Sequence, residues 1–401
     1  MRSPMKKKSL LFVIPSLSAG GGEKSLVNLL SQIDYNLYNV DLFLLNQEGL
    51  FMEYLPKQVN ILPLPETYKL FSLPLITSII KLFSKGKLLL AYYRLMYTIK
   101  NRKIKDLTRR EQYTWKYLAH SLEKLKNNYD TAIGFLEKTS TYFCVDKVDA
   151  HKKIGWVHID YDKMGMDPQF DIRYFEQLNK IVTVSEECAN IFSKRFPSQR
   201  NKVEVIYNIV SPKVIHNMAN QETNSLYSKK TNEIILLTVG RLHYQKGLEM
   251  AVESCYLLQK LGYNIRWYVI GEGEERDVLT NLIKEKGLEQ SFFLIGLKGN
   301  PYPYIKQADI YVQPSRFEGK SIALDEAMIL RKPIVVTNFS TAKDQIQDGV
   351  NGMIVDMNPN AVASGIEKVI KNKEIRKLYV DNLSQLELGT EEEVKKLYKI
   401  L

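Results

Sequence analysis

The chain contains 401 residues, too many for one ordinary domain and enough for two domains of about 200 residues each. Hydrophobic residues make up 45% of the chain and charged residues 25%, a globular composition that argues against disorder. The three cysteines are widely spaced, which argues against a disulfide framework or a zinc cluster and favours a reducing cytosol. We expect each of them to be a buried, small apolar residue: Cys144, Cys188 and Cys255.

The N-terminal lysines and the short apolar run at 9–15 are better explained by a buried first strand than by a signal peptide. The sequence has no run of about 20 apolar residues, so no membrane-spanning helix is predicted. Strands are then predicted at 40–45, 131–135, 153–157, 180–184 and 203–206, with a helix at 23–32. This alternation predicts a first domain at 1–210 that is Rossmann-like, with parallel strands joined by helices.

A second series of the same kind begins after residues 211–232, which are polar and are predicted to form a linker. Its strands are predicted at 234–239, 265–270, 292–295, 310–313 and 333–337, with a helix at 248–261. We therefore expect a second Rossmann-like domain at 233–385. The C-terminal stretch from residue 361 is predicted to be helical, with a break near 388–389, and residues 386–401 are predicted to contain the last helix.

The net charge of +11 is concentrated in one segment, about 68–128, which holds 14 lysines and arginines against three acids. Its apolar residues recur at helical spacing, so we predict one or two amphipathic helices inserted in the first domain. A basic, amphipathic insert favours an anionic membrane surface as partner. No nucleic-acid-binding module is recognisable, and nucleic acid is not expected as a partner. A solvated helical face is the simpler alternative.

Three stretches carry candidate chemistry. The first is the glycine-rich turn at Gly20, Gly21, Gly22 and Glu23, between a strand and a helix, where backbone N–H groups and the helix dipole favour a phosphate or a polar sugar. It is neither a dinucleotide fingerprint nor a Walker A loop, because Ser25 stands where the fingerprint needs Gly or Ala and Glu23 separates Gly22 from the lysine. A tight turn that closes a βα unit remains the alternative.

The second stretch, 239–247, follows a predicted strand and carries Arg241 and Lys246 five residues apart, after Gly240. Two cations at the carboxyl end of a parallel strand suit a diphosphate, and they would stabilise the negative charge of a departing nucleoside diphosphate. The alternative is a solvated basic loop.

The third stretch has Glu318 before a glycine turn and Glu326 inside the next helix, with a buried face predicted at Ile322, Ala323, Ala327 and Leu330. Carboxylates accept hydrogen bonds from vicinal hydroxyls.

His158 follows a predicted strand, and Asp160 is close enough in sequence to orient its imidazole. A histidine in this position is otherwise a hydrogen-bonded structural residue, and Asp160 is equally well explained as a helix N-cap or a solvated acid.

Taken in order, these motifs resemble a large family of retaining glycosyltransferases of the GT-B fold, over nearly the whole chain. The run from Glu318 to Glu326 resembles its Glu-x7-Glu motif. Five further stretches are similar to family segments: Gly21-Gly22-Glu23, 156–161, 184–186 with 205–208, 239–247, and the Asp-Gly-x-Asn-Gly turn at 348–352. The form Glu-Gly-Lys-Ser-Ile-Ala-Leu-Asp-Glu-Ala is similar to enzymes of bacterial capsule, exopolysaccharide and O-antigen assembly.

The resemblance implies roles for individual residues. It implies that Arg241 and Lys246 bind the donor diphosphate, that Glu326 holds the ribose hydroxyls, and that Glu318 and His158 lie at the donor sugar and the reaction centre. Further expected site residues are Gly240, Ser321 and Ile322 for the donor, and Gly21, Gly22 and Glu23 near the phosphate and the acceptor. Lys320 and Ser321 replace the small or apolar residues that are commoner after Glu-Gly, and Asp325 precedes Glu326. These departures put the choice of donor sugar in doubt.

The resemblance also implies an activity: transfer, with retention, from a nucleotide diphosphate sugar, UDP more often than GDP, to a glycan acceptor. We expect the acceptor to be lipid-linked, the fold to be two domains facing each other across a cleft, and the last helix to pack on the first domain. No metal or other cofactor is expected, because two cations and a helix N-terminus can do the work of a metal ion. The expected location is cytoplasmic, on the inner face of the cell membrane.

Two other functions fit a pair of Rossmann-like domains. One is an NAD-dependent oxidoreductase, against which the incomplete glycine fingerprint argues. The other is a non-catalytic protein that binds nucleotides or carbohydrates on the same scaffold, against which the presence of all five polar motif residues argues: His158, Arg241, Lys246, Glu318 and Glu326.

Overall fold

The structure is a computed structural model that describes residues 6–18, 20–221, 227 and 232–401. Tertiary contacts divide the chain into two compact units. The first unit comprises Met1–Ser18, Leu26–Ile206 and Val394–Leu401, and the second comprises Ala19–Ser25 and Tyr207–Glu393. Each unit contains one sheet in which every pair of neighbouring strands is parallel. The predicted fold class, α/β with two Rossmann-like domains, is confirmed.

The first unit has a seven-stranded sheet. Its longer strands contain buried apolar runs, such as 10–14, which suit a parallel sheet covered on both faces. In chain order they are β1 (Lys8–Ile14), β2 (Tyr38–Leu44), β3 (Asn60–Ile61), β4 (Asn128–Gly134), β5 (Asp149–Val157), β6 (Lys180–Thr183) and β7 (Val203–Val205). Their order in the sheet is β3-β2-β1-β4-β5-β6-β7, which reverses direction between β1 and β4.

The helices of this unit include four in the basic segment, where we predicted one or two. The expectation was wrong in number because Pro74, Gly86 and Asp106 divide the segment: Pro74 precedes a helix, Gly86 has φ +68°, and Asp106 caps a new helix. The helices are α1 (Gly21–Leu30), α2 (Glu66–Ser72), α3 (Leu75–Ser84), α4 (Leu88–Lys103), α5 (Leu107–Leu118), α6 (Thr139–Lys147), α7 (Pro168–Phe175) and α8 (Glu186–Arg195).

The second unit has a six-stranded sheet in the order β10-β9-β8-β11-β12-β13, with its reversal between β8 and β11. The strands are β8 (Ile234–Val239), β9 (Ile265–Ile270), β10 (Phe292–Leu294), β11 (Ile310–Gln313), β12 (Ile334–Thr337) and β13 (Met353–Val355). The short strands β3 and β13 were not predicted.

The stretch at 211–232, predicted as a linker, begins with a helix, α9 (Pro212–Ala219). Ile215 and Ala219 are buried with Ile235 and Tyr311 in the core of the second unit, so this part of the expectation was wrong. Most of the remaining linker lies outside the described residues. The later helices are α10 (Leu248–Lys260), α11 (Arg276–Glu285), α12 (Tyr302–Gln307), α13 (Ile322–Ile329), α14 (Pro359–Lys371) and α15 (Lys373–Ser384).

The end of the chain packs in the first unit through a short helix, α16 (Val394–Ile400), which is shorter than the predicted segment 386–401. Its Tyr398 ring stacks on Tyr38 with 5.3 Å between centroids, and its hydroxyl accepts a 2.8 Å hydrogen bond from the Asp34 N–H. Lys152 donates to the Leu401 carbonyl at 2.9 Å. Across the described ranges, the helices are all too short or too polar to cross a bilayer.

Candidate active site

The candidate site in the second unit lies where the sheet reverses its strand order, between β8 and β11. In open parallel sheets the crevice at the carboxyl ends of such strands is where ligands bind. The chain leaves β8 at Gly240 and Arg241, and it leaves β11 toward Ser315 and Glu318. The sequence therefore delivers the cationic loop and the first acidic residue of the Glu-x7-Glu motif to one edge of one sheet.

Glycines allow the loop after β8 to pack closely against its neighbours. A Cβ atom at Gly271 would lie 1.9 Å from the Gly240 carbonyl oxygen, and one at Gly247 would lie 2.2 Å from the Pro314 carbonyl oxygen. Gly247 also has φ +59°, which L side chains rarely adopt. These contacts hold Lys246, the neighbour of Gly247, against the end of β11.

The Glu318 carboxylate is buried and receives donors on both oxygens. Its Oε1 accepts from Lys246 Nζ at 2.5 Å, from Ser315 Oγ at 2.6 Å and from Gln313 Nε2 at 3.1 Å. Its Oε2 accepts from Gln245 Nε2 at 3.1 Å. A buried carboxylate is stable as an anion when it is paired and hydrogen-bonded in this way. The structure thus brings Lys246 and Glu318 together, so a diphosphate that engages Lys246 would have to share it with Glu318.

Ser321 and Ile322 begin helix α13. The Ser321 hydroxyl accepts from the Leu324 N–H at 3.3 Å as the N-cap and donates to Gln313 Oε1 at 2.9 Å. Ile322 is buried, as is almost every other residue of α13, so our prediction of one buried face was too narrow. Because nearly all of its residues are buried, α13 lies within the core of the second unit.

Glu326 is buried on α13 and forms an ion pair with Lys24. It also accepts a hydrogen bond from the Tyr302 hydroxyl at 3.1 Å, and Lys24 Nζ lies 4.5 Å from the centre of the Tyr302 ring. Burial alone would lower the pKa of Lys24, but the charge of Glu326 and the contact with Tyr302 raise that pKa above its ordinary value. Lys24 is therefore a protonated partner of the carboxylate that we expect to bind ribose.

Arg241 lies beside the glycine-rich turn. Its Nη2 is 3.4 Å from Glu23 Oε1, and while Glu23 is buried, the Arg241 side chain is 52% exposed. A Cβ atom at Gly20 would lie 2.1 Å from the Glu23 carboxylate and 2.9 Å from Arg241 Nη2. A Cβ atom at Gly21 would meet no atom within 4 Å. A Cβ atom at Gly20 would therefore displace the ends of these two flexible side chains and no backbone atom, while Gly21 and Gly22 form the first residues of α1.

Three cations in this site thus each face one carboxylate: Arg241 and Glu23, Lys246 and Glu318, Lys24 and Glu326. An arrangement of matched charges can accept an anionic ligand by exchanging internal partners for ligand oxygens and hydroxyls. Sequence reasoning missed three of the polar residues that build this array: Lys24, Tyr302 and Gln313. The available signal was a polar residue at the end of a buried strand, Gln313, and a lysine directly after the Gly-Gly-Glu turn.

Next to this array, Lys320 Nζ lies 3.3 Å from Asp325 Oδ2, and both side chains are largely buried. Burial raises the pKa of Asp325, while Lys320 and a hydrogen bond from Gln345 act in the opposite direction. Two of the residues at which this chain departs from the commoner family pattern, Lys320 and Asp325, are therefore paired with each other.

His158 belongs to the first unit and directly follows β5. Its backbone N–H donates to Glu137 Oε2 at 3.1 Å, and its ring lies 4.8 Å from the ring of Phe135. Its Nε2 is buried and has no hydrogen-bond partner among the residues that the structure describes. Asp160 accepts from the backbone N–H groups of residues 162 and 163, which is the turn-capping role. A buried, unsatisfied imidazole nitrogen suits a hydrogen bond to a ligand.

Burial lowers the pKa of His158 to about 3, so the ring is neutral near pH 7. Since protonation is easier in the unfolded chain, His158 stabilises the folded state fully only above about pH 6.5, and this contribution is lost as the pH falls toward 3. In that window the free energy of unfolding of wild type should fall as the pH falls. We expect this fall to be less steep in His158→Phe, by up to about 1.4 kcal/mol per pH unit. Urea unfolding of both proteins at pH 7.5, 6.0 and 5.0 measures this difference, and parallel pH profiles would contradict it.

The chain is similar to known proteins in sequence and in fold. Residues 220–385, somewhat under half of the chain, match the sequence profile of the family Glycosyl transferases group 1. One relative is the Campylobacter jejuni N-acetylgalactosamine-N,N'-diacetylbacillosaminyl-diphospho-undecaprenol 4-alpha-N-acetylgalactosaminyltransferase, 27% identical over 46% of this chain and 49% of its own. Another is the Staphylococcus aureus poly(ribitol-phosphate) alpha-N-acetylglucosaminyltransferase, 26% identical over 64% of this chain and 54% of its own.

Among solved structures, a TarM mutant from S. aureus in complex with Fondaparinux, alpha-GlcNAc-glycerol and UDP has a TM-score of 0.67 and 15% identity. The alignment covers 98% of this chain and 99% of that one. This likeness confirms the GT-B fold, and the part of the chain that matches the family Glycosyl transferases group 1 is residues 220–385. The chain spans about half the length of the curated relatives it matches.

Proposed function

We propose that this protein is a retaining glycosyltransferase that moves a sugar from a UDP-sugar to a lipid-linked glycan in bacterial surface polysaccharide assembly. The observation that carries the proposal is the array of paired charges at the strand reversal of a group 1 domain: Arg241, Lys246, Glu318 and Glu326. The UDP in the TarM complex supports UDP over GDP, and the undecaprenol-linked acceptor in the name of the Campylobacter relative supports a lipid-linked acceptor.

In this proposal Arg241 and Lys246 bind the donor diphosphate and stabilise the charge that it gains on leaving. Glu326 accepts hydrogen bonds from the ribose hydroxyls, and Glu318 orients the donor sugar. The neutral imidazole of His158 bonds to the sugar through its unsatisfied Nε2. The leaving phosphate takes the proton of the attacking hydroxyl, so the mechanism needs neither a protein nucleophile nor a metal ion. The protein acts as a peripheral protein on the cytoplasmic face of the cell membrane.

A panel of nucleotide sugars tests the proposal through thermal stabilisation and slow hydrolysis. At a concentration one hundred times its Kd, the cognate UDP-sugar should stabilise the folded protein by about 2.7 kcal/mol. The same compound should be hydrolysed slowly to UDP and free sugar without an acceptor. Stabilisation by NADH instead would indicate an oxidoreductase, and binding with neither hydrolysis nor transfer would indicate a non-catalytic protein.

A further inference from the structure

The basic segment of the first unit contains a helical hairpin, α3 and α4, joined by the turn at 85–87. Gly86 in the turn has φ +68°, and the Lys87 N–H donates to the Leu82 carbonyl at 2.8 Å. These are the features of a helix end closed by a left-handed glycine. The turn therefore fixes the two helices side by side.

The inner face of the hairpin is accounted for by a small local core. Leu82 of α3 and Leu90 and Ala91 of α4 are buried together with Leu70 and Phe71 of α2. Burial of these side chains stabilises the hairpin against the rest of the insert. Folding of the insert accordingly needs no further apolar surface from α3 and α4.

The outer face of the hairpin is also apolar, and it is open to solvent. On α3, Ile76, Ile80 and Phe83 follow the spacing i, i+4, i+7 and are 74%, 62% and 54% exposed. On α4, four more large apolar side chains are exposed: Leu88, Leu89, Tyr92 and Leu95. A solvated helix carries polar residues on its outer face, and a contiguous exposed apolar surface marks an interaction site.

Cations flank this outer face. Lys81 is exposed on α3, and Arg102 and Lys103 are exposed at the end of α4, while Lys85 at the turn is exposed but paired with Glu66. Other cations of the segment are committed to the protein itself: Arg94 donates to the Leu73 carbonyl at 3.1 Å and Arg110 to the Ile104 carbonyl at 2.7 Å. Lys81, Arg102 and Lys103 are thus exposed cations on the same two helices that carry the apolar face.

We propose that the outer face of the α3–α4 hairpin inserts into the boundary between headgroups and acyl chains of an anionic bilayer. Large apolar side chains bordered by lysine and arginine are what an interfacial helix presents, since the chains enter the acyl region and the cations stay with the lipid phosphates. The anionic lipid headgroups then supply the negative charge that pairs with these cations. This inference deepens the peripheral location in the proposed function and rests on it for its biological role, but not on transferase activity.

Vesicle sedimentation with the full chain tests the surface. We expect the triple variant Ile76→Ser, Ile80→Ser, Phe83→Ser to lower partitioning onto vesicles of phosphatidylglycerol and phosphatidylcholine by at least about tenfold. The matched control replaces three comparably exposed side chains of the second unit, Val214→Ser, Leu261→Ser and Val278→Ser. The control should bind like wild type, and equal loss in both triple variants would overturn the proposal.

Insertion is separated from purely electrostatic contact by a fluorescent probe. The three native tryptophans, Trp115, Trp156 and Trp267, are buried, so a tryptophan introduced by Phe83→Trp reports on the hairpin against a constant background. Its emission should shift to the blue on vesicle addition and be quenched by lipids with brominated acyl chains. Vesicle binding without shift or quenching would mean contact through charge alone and would overturn insertion.

Two further outcomes keep the proposals distinguishable. Loss of a dimer in the hairpin variant, with wild-type protein that does not bind vesicles, would assign the apolar face to a second copy of the chain and overturn the membrane proposal. Hydrolysis of soluble UDP-sugar should be unchanged in the hairpin variant. A wild-type protein that binds vesicles but hydrolyses no nucleotide sugar would contradict the proposed function and leave insertion supported.

Discussion

Arg241→Ala and Lys246→Ala are each expected to lower kcat/KM for sugar transfer by roughly 30- to 1,000-fold, which corresponds to about 2–4 kcal/mol of transition-state stabilisation. The physical reason is that each cation would meet the diphosphate as its charge increases in the transition state. The half-exposed Arg241 can turn from Glu23 to a ligand, and Lys246 can share its three donors between Glu318 and phosphate oxygens.

The control for this prediction is Lys284→Ala, which removes an exposed cation from α11 of the same unit and should leave turnover unchanged. Lys246→Ala also leaves the buried Glu318 carboxylate without its cation, so its folding must be checked by thermal unfolding before turnover is compared. Wild-type turnover in folded Arg241→Ala and Lys246→Ala would contradict the assignment of the phosphate site.

Glu326→Ala is expected to weaken the binding of free UDP at least about tenfold, whereas Glu318→Ala should leave it within about twofold. The ribose is part of UDP and the donor sugar is not, so of these two glutamates only Glu326 would contact this ligand. Titration calorimetry of the two variants measures the difference. The reverse order of affinities would contradict the proposed division of roles.

Lys24 supplies the control for the Glu326 variant. Removing Glu326 alone leaves the Lys24 ammonium buried against Tyr302 without its carboxylate, which destabilises the folded state. The double variant Lys24→Ala, Glu326→Ala removes both charges and should recover part of the lost melting temperature. Weak UDP binding that persists in this double variant would then report the ribose contact and not a fold defect.

Much of the fold could be predicted from sequence because its strands are local apolar runs. The predicted bounds of 234–239, 265–270 and 310–313 agree with β8, β9 and β11. We predicted a linker where α9 lies because polar neighbours obscure its short apolar pattern. The burial of Ile215 is evident only from the core that it contacts. We predicted too few helices in the basic insert because several short helices, separated by proline and glycine, give nearly the same spacing of apolar residues as one long helix.

For the candidate site, the sequence by itself determined which residues stand at strand ends: Arg241 after β8, Glu318 after β11 and His158 after β5. That information is local, because strand ends and turn glycines are encoded within a few residues. Only the tertiary structure decided the partners. Lys24 forms its ion pair with Glu326, which lies about 300 residues further along the chain. The structure also shows that Leu82 of α3 is buried and Ile80 is exposed, which separates the inner face of this helix from its outer face. Pairing and burial depend on what packs from distant segments, which no local pattern specifies.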